Sequence, residues 1–176
     1  MKKHFTRLAA LVIAAASLAS MAQAQAKIGT VNSKDIFEKS AEGKRIMARL
    51  REVDTKNQAD LAKLDEEIRG LQTRLSTQRL TLSEDAAQQL SSDIDKKSTD
   101  RKRRGEDAGA AWSALRDRLF QTLQTELIAV IAQIGKEKGY DLIMDIGNGA
   151  VYANPAIDLS AEVIKRYDAQ KAVPAK

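Results

Sequence analysis

The stretch TLSEDAAQQL, residues 81–90, decides the fold. It interrupts a block from Ser40 to Gly139 that holds no proline and is rich in Ala, Leu, Glu, Lys, Arg and Gln, all good helix formers. Thr81 and Glu84 match a capping box, and Ser83 is a second candidate cap ahead of Glu84 and Asp85. Acids there suit the positive end of a new helix. Either cap starts a second helix. Two helices joined by a tight turn near residues 80–84 fold back as an antiparallel hairpin.

The apolar spacing on both sides supports this. Ile46, Leu50, Val53, Asn57, Leu61, Leu64, Ile68, Leu71 and Leu75 recur every three or four residues, as a coiled-coil seam requires. The steps of four around Asn57 read as a stutter, and Asn57 as a register-setting residue. After the turn come Leu90, Ile94, Ala108, Trp112, Leu115, Leu119, Leu123, Leu127, Val130 and Ile134. Trp112 reads as seam packing. Between Ile94 and Ala108 the run DKKSTDRKRRGED carries no apolar side chain. With the turn at residues 81–82, Lys97 is expected opposite Glu66, Lys96 opposite Glu67 and Arg103 opposite Asp60. Exposed pairs of this kind contribute only a few tenths of a kcal/mol. Gly105 and Gly109 each cost about 1 kcal/mol relative to Ala in a helix. They read either as part of a solvated face or as a joint that lets the arm bend. Gly139, after Lys136 and Lys138, is a helix C-cap.

Residues 27–39 and 140–170 form the expected base, with 40–139 the arm and 171–176 a frayed tail. KIGTVNS is a strand, Ser33 caps a short helix to Lys39, and Ser40 caps the first arm helix. YDLIMDI, GNG and AVYA read as strand, tight turn and strand. Pro155 ends that strand, and Ser160 caps a last amphipathic helix. Arms of about 60–80 Å exceed the roughly 30 Å width of a domain this size, so they project. The fold class is therefore α+β: a small β body carrying a long protruding antiparallel α-helical coiled-coil hairpin. Three strands per chain leave apolar edges that need covering. A barrel shared between several chains would do so, and Ile28, Val31, Leu142, Met144, Ile146 and Val151 are the candidate oligomerisation residues. Tyr140 and Tyr152 read as body packing.

Residues 1–26 read as a cleaved secretory signal peptide: Lys2, Lys3 and Arg7, an apolar run from Leu8, then two A-x-A sites. The formal charge of +5 includes those three cations, so the exported chain carries only +2. There is no cysteine to staple the fold, and the single histidine, His4, leaves with the signal. No nucleophile–base pair, metal cluster or cofactor motif appears, which argues against an enzyme. Export and modest charge argue against nucleic acid. One arm surface is nevertheless basic. Arg69, Arg74 and Arg79 lie between Ile68 and Ser83 with no acid among them. Lys96, Lys97, Arg101, Lys102, Arg103 and Arg104 lie across the hairpin.

The chain resembles the Skp/OmpH family of periplasmic chaperones over essentially its whole exported length. KIGTVNSKDIFEKSAEGKR is similar to the family's opening strand, short helix and Ser-x-x-Gly-Lys start of the first arm, and TLSEDAAQQL to its arm tip. KEKGYDLIMDIGNGAVYANPAIDLSAEVIKR is the most specific part. The resemblance implies a periplasmic homotrimer, a β body with three helical arms around a cavity. It implies ATP-independent holding of unfolded outer-membrane β-barrel proteins before membrane insertion. The basic arm residues would then face client or anionic lipid, and Gly105 and Gly109 would be the arm joint. A structural coiled-coil protein, or a binder of lipopolysaccharide or another polyanion, is the alternative.

Overall fold

The computed structural model describes residues 25–147 and 149–172. The signal-peptide reading therefore lies outside the described residues except at its last two positions, as does the tail beyond Ala172. The chain is mostly helical with a small two-stranded sheet. In order it forms β1 (Ile28–Val31), α1 (Ser33–Lys39), α2 (Ala41–Gln78), α3 (Glu84–Lys138), β2 (Leu142–Asp145), a 3₁₀ turn (Pro155–Ile157) and α4 (Ser160–Ala172).

β1 and β2 pair in parallel, with Ile28 opposite Leu142 and Val31 opposite Asp145. Parallel strands cannot be joined by a tight turn and need a long crossover. Here the crossover is the α2–α3 pair itself. At 1.5 Å per residue, α2 is about 57 Å long and α3 about 83 Å. The two run antiparallel. Near the base the Trp112 indole N–H donates to the Leu50 carbonyl at 3.2 Å, and further out Lys97 meets Glu67 at 2.5 Å. Leu90 and Ile94 are buried, as are Ile46 and Leu50, while Val53, Asn57, Leu61, Leu64, Ile68, Leu71 and Leu75 are half-buried among exposed neighbours.

The helix ends show which local signals win. Ser83 caps α3 by accepting from Ala86 N–H, and the Thr81 hydroxyl turns back to the Gln78 carbonyl instead. Gly139 closes α3 with φ 64°, a left-handed conformation that glycine adopts without a Cβ penalty. At α1 the cap is Asn32, whose side chain accepts from Asp35 N–H, and Ser33 is the first helical residue. An amide at position 32 intercepts the role expected of the serine after it. Ser160 lies inside the first turn of α4 and is held from outside. Its N–H and hydroxyl both donate to Asp158, while its oxygen accepts from Asn32 N–H.

The expected third strand does not form. After β2 the chain leaves through Gly149 at φ 118°, and Val151 and Tyr152 stand 104% and 81% exposed. The outer edge of β1 is taken by residues 158–159: Asp158 bridges to Thr30, and Leu159 N–H donates to the Thr30 carbonyl. A short strand on the open edge of β2 would gain no apolar cover within one chain, and such additions are marginal. The base therefore carries two strands per chain among the described residues, not three.

The core joins β1, α1, the root of the α2–α3 pair and α4 through Val31, Ile36, Ile134, Val163 and Tyr167. Where α1 meets α2, Ser40 is completely buried and its hydroxyl oxygen accepts from Gly43 N–H. A Cβ on Gly43 would lie 1.8 Å from the Phe37 carbonyl oxygen. That is the physical reason for glycine in the SAEGKR lead-in.

α4 is also tied down by charge. Arg166 pairs with Glu137 and Glu162, Lys138 reaches Glu162 at 2.5 Å, and Lys171 and the Tyr167 hydroxyl both donate to Glu126 at 2.6 Å. Arg166 holds the Glu137 carboxyl below the usual range, and Lys138 does the same for Glu162. Partial burial pushes Glu126 up, but Lys171 and Tyr167 outweigh it and hold it low. Burial, with Glu126 as acceptor, pushes the Tyr167 phenol well above its ordinary value.

Two tests follow from this base. Gly43→Ala should lose about 3 kcal/mol, the upper end of overpacking costs, read as a lower urea midpoint. An unchanged midpoint would refute the close approach to Phe37. The three carboxyls are depressed in the folded state, so their stability is present above about pH 4.3, the unfolded glutamate value. It is lost as pH falls through their folded values. Hydrogen exchange of α4 amides should therefore rise at pH 3 relative to pH 7, corrected for intrinsic rates, more than exchange in the α3 segment around Ile134. Parallel changes in both would count against an ionic clamp.

Candidate functional site

Two surfaces stand out, one at the base and one along the arm. At the base, the outer face of the sheet carries Ile28, Leu142 and Met144 at 42%, 50% and 52% exposed, and Val151 is bare. Ile146 is half-buried. Val31 differs from the sequence expectation: at 3% exposed it belongs to the chain's own core, packed with the Ile36 and Ile134 cluster. Tyr152, expected as body packing, points away from the body, because the strand meant to carry it does not form. Tyr140 is half-buried against the core, with Lys27 Nζ 4.4 Å from its ring centre.

Next to this sheet lies a groove that the sequence reading missed. Phe37, Phe120, Leu123, Leu127, Ile128 and Ile131 line it, with Val31 at its inner end, and its volume is about 530 Å³. The Phe37 and Phe120 rings stack at 4.5 Å. The groove exists because α3 has more apolar residues at its root than its contact with α2 consumes. Leu119, Leu123 and Leu127 form the inward row, and Phe120 and Ile128 form a second row one residue along. That second row, eight residues apart on one helix face, was the signal available in the sequence.

Along the arm, the nine basic candidates divide into two groups. Four have acid partners on the arm. Lys97 pairs with Glu67, Arg101 grips both oxygens of Asp65 at 2.8 and 2.9 Å, Arg104 holds Asp100 at 2.8 Å, and Lys102 lies 4.0 Å from Glu106. Asp65 is held below its usual carboxylate range by Arg101. The expected pairs of Lys97 with Glu66, Lys96 with Glu67 and Arg103 with Asp60 are replaced. Lys97 meets Glu67 and Arg101 meets Asp65, one and three residues further toward the tip along α2 than a turn at residues 81–82 places them. The remaining five, Arg69, Arg74, Arg79, Lys96 and Arg103, have no ion-pair partner among the described residues, although Arg74 donates to Gln78. Three of the five are near the tip, beside a fully exposed Leu80.

Gly105 and Gly109 lie inside an unbroken α3. A Cβ at Gly109 would touch nothing within 4 Å, and one at Gly105 would make only ordinary contact with Arg101 and Leu61. Neither glycine is required by crowding, unlike Gly43. Among the described residues no group of three or more His, Cys, Asp or Glu could hold a metal, and no described helix is long and apolar enough to cross a membrane.

Residues 27–167 match the model of a family described as outer membrane protein (OmpH-like). A solved structure described as an OmpH-like outer membrane chaperone, from Caulobacter crescentus CB15, superposes with a TM-score of 0.77 at 22% identity. The match covers 84% of this chain and 86% of that one, and it shows a shared fold. No curated protein matches the sequence.

The glycine pair has a direct test. Gly105→Ala with Gly109→Ala should stabilise α3 by about 2 kcal/mol in total and slow hydrogen exchange across residues 101–112. Exchange as fast as in the unchanged chain would show that these glycines do not loosen the arm.

Proposed function

The chain belongs to the Skp/OmpH (OmpH-like) family, whose general role is that of a chaperone, and from that premise we propose that it is an ATP-independent holdase of the periplasm. Its clients are unfolded outer-membrane β-barrel proteins, held between the helical arms before membrane insertion. The acting form is a homo-oligomer, a trimer by family resemblance, closed through a β body shared between chains. The arms then surround a common space as coiled-coil hairpins. The observation that carries the reading is the proportion of the parts. A two-stranded base with bare apolar residues supports helices of 38 and 55 residues.

The chemistry suits the task. An unfolded barrel protein exposes alternating apolar side chains and unpaired strand edges. Isolating one copy between arms prevents pairing with another. Many weak contacts hold a client without selecting one sequence. The arm offers such contacts as unpaired cations at Arg69, Arg74, Arg79, Lys96 and Arg103, while Lys97 and Arg101 pair across the hairpin and Lys102 and Arg104 pair within α3. Arg69, Arg74 and Arg79 also favour a second reading, contact with anionic lipid or lipopolysaccharide. Gly105 and Gly109 serve as the joint that adjusts the arms to client size.

The test uses light scattering on the chain alone and with an outer-membrane barrel protein diluted out of urea. Trimeric mass, co-migration of the client and suppressed turbidity are expected, with capture falling by less than tenfold between 50 and 300 mM salt. The Gly105→Ala, Gly109→Ala chain should hold a narrower range of client sizes. A trimer that leaves turbidity unchanged would sink the holdase reading. Capture lost tenfold or more between 50 and 300 mM salt would favour the polyanion reading.

A further inference from the structure

The chain has a hole without an occupant and a knob without a seat. The hole is the groove of about 530 Å³ at the root of α3, apolar except for Ser33, Lys34, Gln124 and Asp145 in its lining. That volume falls within the range of well-formed ligand sites. The knob is the segment from Ala150 to Ala153. Tyr152 is 81% exposed there, and Val151 is wholly so. The segment sits inside a run, Ile146 to Ile157, that contains no charged residue in a chain that is 30% charged. β2, just before it, pairs with β1 on one edge only among the described residues.

From this complementarity we infer that Tyr152 of a second copy of the chain fills the groove of the first. The inference rests on the assembly proposed above and names its contact. The ring of Tyr152 lies against the stacked Phe37 and Phe120 pair, an arrangement aromatic side chains favour. Its hydroxyl reaches the polar part of the lining. The segment carrying it runs along the open edge of β2, where strand addition satisfies backbone groups on both sides.

A second copy is the fitting occupant for two reasons. The uncharged segment enters a groove bordered by both a lysine and an aspartate without repulsion from either. Knob and groove are also different patches of the same chain, so the contact is head-to-tail, and a head-to-tail contact closes into a ring when its rotation permits. A single chain does not satisfy itself, since its own Tyr152 stands in solvent.

The chain has no cysteine, so paired cysteines report contact directly. Tyr152→Cys chains are refolded together with Ile128→Cys or Gln124→Cys chains and treated with a short bismaleimide. A two-chain product is expected from these mixtures. None is expected when the partner carries Thr55→Cys on the exposed face of α2. In parallel, Tyr152→Asp should weaken self-association tenfold or more by light scattering while helix content is unchanged, and Tyr152→Phe should retain association. Tyr152 is exposed in the single chain, so these variants fold. An oligomer of normal mass that gives no cross-link at either groove position overturns the inference and leaves the assembly standing. So does normal association of Tyr152→Asp. Protection of Ile128→Cys by added client without any two-chain product overturns it in favour of client in the groove. An unchanged chain that stays monomeric at every concentration overturns the assembly itself.

Discussion

Four residues of parallel pairing govern the molecule. β1 and β2 are separated by more than a hundred residues of sequence yet lie side by side in register. Every residue of the arm is therefore a crossover, and its two ends must return to one place. Polar contacts at the junction fix that return. Lys27 N–H donates to Asp141 and its Nζ to the Lys138 carbonyl, while Asp145 receives the N–H of Ser33 and of Gly147. A ladder this short is marginal alone. It persists because residues 158–159 cover the far edge of β1 and α4 closes over the core. The arm can change length without disturbing this arrangement, provided α2 and α3 change together.

Cohesion along the arm is graded. At the root, Leu123, Leu127, Val130 and Ile134 are buried in the main core. Toward the tip, Leu90 and Ile94 are buried against α2. Between them the pair is held by Lys97–Glu67, Arg101–Asp65 and the Trp112 indole. The two ion pairs are two-fifths or more exposed on nearly every side chain, so each contributes only a few tenths of a kcal/mol. Gly105 and Gly109 fall in this weak middle with no crowding to explain them. If the arm bends as proposed, this middle, between two buried ends, is where bending costs least.

The features legible in the sequence were those governed by local chemistry. The seam spacing, the Ser40 and Ser83 caps and the glycine closing α3 all depend on residues within a turn or two of one another. The misses needed information from further away. Asn32 displaced Ser33 as a cap because two adjacent residues competed for one role. The ion pairs shifted register because side chains as long as those of Lys97 and Arg101 reach along the partner helix as well as across to it. AVYA carries strong strand propensity, but a strand needs an edge and an apolar cover, and one chain offers AVYA only the first. The groove went unseen because Phe120 and Ile128 look like ordinary surface residues until Phe37, from a different helix, stacks on one of them. Gly43 was read as motif, while its cause, the carbonyl of Phe37, is visible only in three dimensions.

The same imbalance explains why the base and arm divide their tasks. Within one chain, Val163 and Ile36 are completely buried, and they serve to hold the arm's root at a fixed angle. Ile28, Leu142, Met144, Val151 and Tyr152 do nothing for that purpose and remain in solvent. Apolar surface left bare beside an open strand edge is a liability for a lone protein. It becomes an asset when copies cover one another, because the angle of each arm is then set by its own core and only the spacing between arms is set by assembly. If the proposed assembly forms, bending in the middle of α3 leaves the corner at Gly43, and with it the surfaces that would join the copies, in place.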